Sequence, residues 1–398
     1  MEYISLIVDA FQILLFVYLG STSLFLFILA FASLFPLRKK KITDPPLKRF
    51  AVLIPSYKED TVILEVAEDA CKQNYPRELH DIIIIADSLR PETIETMRKL
   101  PLTVIEVSFE KSTKSKALNA AFAQLPSDKY DYVLILDADN IMEPDFLSKL
   151  NEGFARGYFA IQGHRIAKNT NTHLAVLDAV SEEINNSIFR KGNCVLGLSS
   201  SLIGSGMAFE YEPFKKIMSN IKAIGGFDKE LELYMTRNRL IVDYLPDAYV
   251  KDEKVQNFDN FSNQRRRWLS AQFIYWRATY PSAIKELFTN GNIDFFLRSN
   301  MQMQLPRILL LGFSFLIFIA SLLFDNGIFP ILWSIHFGMV VLALFLAIPH
   351  KYYSLQTLKA IFYLPKGFFF MLKSLLSIKG ANTTFIHTEH GTTEKEEK

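Results

Sequence analysis

Cysteine is nearly absent from this chain. Two residues in 398, Cys71 and Cys194, cannot build a disulfide framework and show no metal-binding spacing, so they fit a reducing compartment as small buried hydrophobes. An excess of charge is also missing: 44 Lys and Arg against 42 Asp and Glu leave a net charge of +2. Nucleic-acid binders carry a clustered basic excess, so no nucleic-acid partner is expected. Internal repeats and low-complexity segments are absent too. What is plentiful is apolar surface, with 49% hydrophobic residues and 34 phenylalanines, and a positive mean hydropathy of +0.14. At this length the balance favours one globular domain joined to a membrane part over two soluble domains.

The apolar residues are concentrated in runs. Residues 3–36 are almost continuously hydrophobic and end at Arg38-Lys39-Lys40-Lys41. The run is too long for a signal-peptide core and has no basic segment before it, so it reads as a tilted transmembrane helix whose basic end is cytoplasmic. Residues 305–324 and 328–348 are each about a bilayer long and are joined by the turn DNGI. They read as a hairpin whose ends, marked by Arg298, Arg307, His350 and Lys351, also lie in the cytoplasm. Residues 355–378 are aromatic but carry Lys359, Pro365, Lys366 and Lys373, the pattern of an interfacial helix. The expected divisions are 1–42 for the first span and its basic stop, 43–280 for a cytosolic domain, 281–380 for interfacial helices and the hairpin, and 381–398 for a polar tail. The expected location is the cell (inner) membrane.

Between the spans, strand and helix patterns alternate. FAVLIP, DIIIIAD, LTVIEV and YVLILDAD read as strands, while LEVAEDACKQ, PETIETMRKL and KSKALNAAFAQL read as helices. This is βαβ alternation, an α/β domain with a mostly parallel sheet. Further on, FAIQGHRI reads as a strand and THLAVLDAVSEEINNSIF as a helix. Two of the early strands end in acid at one edge, at Asp87 and at Asp137-Ala138-Asp139. Ligands of open α/β sheets bind at the carboxyl edge, and carboxylates one residue apart at a turn can hold a divalent cation with hard oxygen ligands. Later come a glycine turn, Gly204-Ser205-Gly206, suited to close backbone approach, then carboxylates at Asp228, Glu230 and Glu232, and then the basic-aromatic QRRRW, residues 264–268. Transfer of a sugar from a nucleotide diphosphate needs these parts: cationic groups for the leaving diphosphate, a carboxylate base for the acceptor hydroxyl, and a flat aromatic surface for the sugar.

Taken in order, VLIPSYKED, Asp87, KSKALNAA, DAD, GSGMAF and QRRRW resemble the motifs of membrane-embedded inverting family 2 glycosyltransferases, the group of cellulose, chitin and hyaluronan synthases. The resemblance runs from about residue 50 to 268, with similar membrane segments on both sides. It implies a GT-A-type, Rossmann-like domain inserted between transmembrane helices. It implies that Tyr57 and Glu59 lie beside the nucleotide base, that Asp87 holds base or ribose, and that Lys116 approaches the nucleotide. Asp137 matches the ribose and phosphate side of the metal motif, and Asp139 the direct Mg2+ or Mn2+ ligand. Gly206 belongs to the substrate-side GSG turn, and Gln264, Arg267 and Trp268 match QxxRW, where arginine contacts the diphosphate and tryptophan stacks on the acceptor.

The chain departs from the family at its base, which is normally a Glu-Asp pair after Ser or Thr. Counting back from Gln264 without a gap places the base at Asp228, with Phe227 in place of Glu; a gapped count lays the pair on Lys229-Glu230. The activity implied is inverting transfer from a UDP-sugar to a growing polysaccharide. A single transfer to a lipid acceptor, as in ceramide glucosyltransferase-like relatives, and a non-catalytic nucleotide-sugar binder are the alternatives. Membrane lipids, and an oligomeric or export partner for the glycan, complete the expected partners.

Overall fold

The computed structural model describes residues 2–380 apart from 41, 222, 224 and 326; the polar tail expected at 381–398 lies outside the described residues. The chain opens with helix α1 (Glu2–Ala32). The expected alternation follows: β1 (Phe50–Tyr57), α2 (Ile63–Ala70), β2 (His80–Asp87), α3 (Pro91–Met97), β3 (Thr103–Val107), α4 (Lys114–Gln124) and β4 (Tyr132–Ile135). The second half of the domain comprises β5 (Ile141–Met142), α5 (Phe146–Phe154), β6 (Ala160–Ala167), α6 (His173–Asn185), a π-helical turn (Asn186–Gly192), the short α7 (Asn193–Val195), β7 (Met207–Glu210), α8 (Tyr211–Met218), α9 (Phe227–Arg237) and β8 (Val242–Asp252).

One eight-stranded sheet runs in the order β3-β2-β1-β4-β7-β6-β8-β5. The pairings among β3, β2, β1 and β4 and between β6 and β8 are parallel, whereas β7 runs antiparallel to both its neighbours and β5 antiparallel to β8. The sheet is therefore mixed, its parallel half built by βαβ crossovers. Because side chains alternate across a strand, Val52, Ile54, Ile82, Ile84 and Leu134 face one core layer with α2, α3 and α5. Ala51, Leu53, Ile83, Ile85, Val133 and Ile135 face the other, with α4, α8 and α9. Both faces are covered, which is why these strands read as unbroken apolar runs.

Beyond the sheet lie α10 (Phe258–Asn290), α11 (Ile293–Met301), α12 (Arg307–Phe324), α13 (Phe329–Ala347), α14 (Leu355–Ile361) and α15 (Leu364–Leu376). Helix α10 is continuous through Pro281, so the division expected at 280/281 falls inside one helix. The segment expected to be one interfacial helix is two helices, since Pro365 lies at the start of α15 and cannot continue α14. Among the described residues, three helices are long and apolar enough to cross a membrane: Ile7–Ala32, Arg307–Phe324 and Phe329–Ala347. Buried Leu19, Trp333 and Val340 fill the space between them, and His336 bridges all three, Nδ1 to Ser23 Oγ (3.0 Å) and Nε2 to Ser314 Oγ (2.7 Å). Gln12 near the start of α1 donates to Asp325 in the hairpin turn (3.0 Å). The opposite ends of α1 and α13 meet on the side of the sheet domain, where Pro36, Leu37 and Pro349 line one cavity with His164 and Tyr244.

Candidate active site

Parallel pairing sets the site's edge. Tyr57 at the end of β1 is paired with Asp87 at the end of β2, and Leu53 with Ile135 at the end of β4, so Tyr57, Asp87 and the DAD turn emerge together. Two adjacent exits share a strained backbone: Lys58 (φ 57°) and Ser88 (φ 59°) both adopt the left-handed region that non-glycine residues rarely occupy. Lys58 N donates to Asp87 O (3.1 Å), and the buried Asp87 carboxylate accepts from Ser88 Oγ (3.0 Å). Glu59, also buried, offers its carbonyl to Val62 and Ile63 at the start of α2. The three residues expected around the nucleotide base thus lie on two touching strand ends.

Asp137, Asp139 and Asp252 each bring a carboxylate oxygen within 4.8 Å of the others. Asp252 is the residue sequence reasoning missed. It ends β8, and β5, just past the DAD turn, pairs antiparallel with that end, Ile141 opposite Lys251. Glu253 N therefore donates to Asp139 Oδ2 (3.2 Å), and Asn140 Nδ2 to Asp252 Oδ1 (3.1 Å). A signal was available: VDYLPDAYVKD is a third apolar strand ending in acid. Burial raises the Asp252 carboxyl pKa, but Arg165 (3.4 Å) and Lys254 (2.7 Å) outweigh it and hold the group below the usual carboxylate range. Three hard oxygen donors on converging backbone fit a divalent cation.

The GSG turn supports this cluster from beneath. Ser205 Oγ accepts from Asp137 N (2.9 Å) and donates to Asn140 Oδ1, and Gly206 N donates to Ile135 O (2.9 Å). Gly206 (φ 61°) is buried, and a β-carbon there would lie 3.2 Å from Val250 Cγ2. Expected on the substrate side, it packs beneath the aspartates, where its conformation and lack of a side chain hold the turn.

Lys116, expected near the nucleotide, has its Nζ donating to Lys111 O (2.8 Å). One helical turn does not point i and i+2 the same way, and the lysine at the site is Lys114. Its ammonium pairs with Asp137, donates to Gly204 O (2.7 Å) and lies 5.3 Å from the Phe227 ring.

The two candidate bases on α9 occupy different surroundings. Asp228 stands over the GSG turn, its Cβ 3.9 Å from where a β-carbon on Gly204 would sit. Glu230 faces α10, accepting from Tyr275 Oη (3.2 Å), and burial and then Glu230 raise the Tyr275 pKa. Glu232 is buried against Arg298 (2.6 Å). Ala271 of α10 abuts Gly226, where a β-carbon would approach it to 2.9 Å. Gln264, Arg267 and Trp268 lie on the same helical stripe as Ala271 and Tyr275, about one to three turns earlier. Arg267 is half-buried, and that burial lowers its guanidinium pKa. Trp268, expected to stack on an acceptor, has Arg265 over its ring at 4.3 Å, and Arg265 pairs with Asp178.

The chain is 24% identical over 291 residues to Beta-monoglucosyldiacylglycerol synthase of Synechocystis sp., covering 68% of this chain and 58% of that protein. It is 27% identical over 247 residues to an N-acetylglucosaminyltransferase of Rhizobium meliloti, covering 57% and 56% respectively. The chain thus spans little more than half the length of these relatives. Among solved structures, a mannosyltransferase from Pyrobaculum calidifontis, in complex with GDP-Man and Mn2+, superimposes with a TM-score of 0.55 at 16% identity, covering 85% of this chain and 97% of that one, a likeness of fold. Residues 45–271, from just before β1 to just past QRRRW, match the family described as Glycosyltransferase like family 2, and the chain is a member of that enzyme family.

Proposed function

We propose that the protein is a metal-dependent inverting glycosyltransferase that moves one sugar from a nucleoside diphosphate sugar, UDP-linked by the resemblance, to a hydroxyl of a membrane lipid. The observation that carries this reading is the convergence of Asp137, Asp139 and Asp252 within 4.8 Å, beside the turn that Asp228 overhangs. A divalent cation held by these three carboxylates would supply charge neutralisation to the leaving diphosphate. Tyr57, Glu59 and Asp87 flank the nucleotide, and Lys114, already between Asp137 and Gly204, brings a second cation to the phosphate side. Arg267, desolvated on α10, serves the same leaving charge. Asp228 takes the acceptor proton as the acceptor oxygen bonds to the anomeric carbon, and the breaking carbon–oxygen bond gives its electron pair to the diphosphate. Glu230, engaged by Tyr275, supports the start of α9.

The lipid acceptor is favoured over a growing polysaccharide by the filled interior of the three apolar helices, where Trp333 and His336 are buried. A glycan crossing through this chain alone would have to displace them. The diacylglycerol in one relative's name points the same way. The test is nucleotide release by detergent-solubilised protein with Mn2+ over a panel of UDP- and GDP-sugars, with diacylglycerol as acceptor. Sugar-selective release with a single glycolipid product is expected, with a loss of about 100-fold or more in Asp139→Asn. A ladder of oligomers would replace the lipid reading with the polysaccharide one, and donor binding without turnover would favour the non-catalytic reading.

A further inference from the structure

A cavity of about 430 Å³ opens on the catalytic-domain side of the apolar helices, within the size range of small-molecule sites. Pro36 and Leu37, just past α1, and Pro349, just past α13, form one wall; Glu183 and Lys191 supply its charges, with the His164 ring beside them. The Glu183 carboxylate is fully engaged: His164 Nε2 lies 2.9 Å from one oxygen and Lys351 Nζ 2.6 Å from the other. His164 Nδ1 faces Pro246 O at 2.9 Å. Lys191 remains. Among the described residues its ammonium has no hydrogen-bond or ion-pair partner, and its partial burial lowers its pKa, the mark of a desolvated charge without compensation. With Glu183 paired to Lys351, the Lys191 charge is left without a counter-ion, and the group that complements it is an anion.

Its position selects the source of that anion. The wall residues are those at which two apolar helices leave the bilayer, the level of lipid headgroups, where basic pockets between helices hold lipid phosphates. We infer that this cavity is a binding site for the phosphate of an anionic lipid headgroup, with Lys191 as its principal counter-ion. The inference rests on the membrane reading of the three apolar helices, but not on catalysis.

The test uses the full chain in detergent micelles without nucleotide sugar. Binding of a fluorescent short-chain phosphatidylglycerol is measured by anisotropy, with unlabelled phosphatidylglycerol, phosphatidylcholine and inorganic phosphate as competitors. Saturable binding displaced by phosphatidylglycerol alone is expected. Lys191→Gln should weaken it at least about tenfold, the loss of one charge-assisted hydrogen bond, while Lys191→Arg and the exposed-lysine control Lys359→Gln retain it. Unchanged binding in Lys191→Gln would overturn the site, and displacement by inorganic phosphate would show a soluble-anion site instead of a lipid one. Resistance of the protein to alkaline extraction from membranes checks the membrane reading separately. Because no turnover is read, a failed glycosyltransferase assignment would leave the binding result intact.

Discussion

Asp228 and Glu230 are two residues apart on α9, yet they face different neighbours, one the glycine turn under the aspartates and the other Tyr275. Asp228→Asn should lower turnover about 100- to 10,000-fold, the usual worth of a general base, with donor affinity nearly unchanged by calorimetric titration. Glu230→Gln should keep most turnover, and the reverse pattern would move the base to Glu230. The DAD motif was legible in sequence because an aliphatic strand ended abruptly in acid. Asp252 was not read, although its strand ends the same way, because it reaches Asn140 across 112 positions through an antiparallel pairing that no local pattern announces. Lys114 and Lys116 could not be told apart until the first turn of α4 had a direction. Trp268 stood out by type, but only the fold shows Arg265 over its ring.

At the scale of elements, the π-helical turn joins the apolar helices to the site. The pattern of THLAVLDAVSEEINNSIF announced a helix but not the widening at Asn186, which depends on what packs against it. A β-carbon at Gly192 would lie 2.3 Å from Leu29 O of α1, so backbone meets backbone there. From the same turn, Arg190 reaches Glu182 (3.0 Å), which in turn bonds Arg165 (2.8 Å), the partner of Asp252. Wide turns of this kind are frequent at functional sites. Gly192→Val should cost about 1–3 kcal/mol by forcing α1 away, read as a lower melting temperature in detergent with lower transfer activity. An unchanged melting temperature would show that the contact is easily relaxed.

For the whole molecule, the buried ion network sets the response to acid. Burial alone would raise the pKa values of Glu182 and Asp252, but Arg165, with Lys254 beside it, holds both below the usual range. Their stabilisation is therefore fully present above the unfolded carboxylate range, about pH 4, and is lost as pH falls through the depressed folded values. Glu182→Gln should cost about 3–5 kcal/mol near neutrality by leaving Arg165, Arg190 and Lys254 under-compensated, and its stability should then fall less steeply below about pH 4 than that of the parent. Melting temperatures across an acid pH series measure both effects.

The basic stretch after α1, read in sequence as a topological signal, has a second use. Lys39 Nζ grips both oxygens of Asp243 (2.8 and 2.7 Å) and also bonds Tyr244 O, at the start of β8. The catalytic domain is thus bolted to its first apolar helix rather than hung from a slack tether. Its strand ends therefore keep one height and one heading relative to that helix.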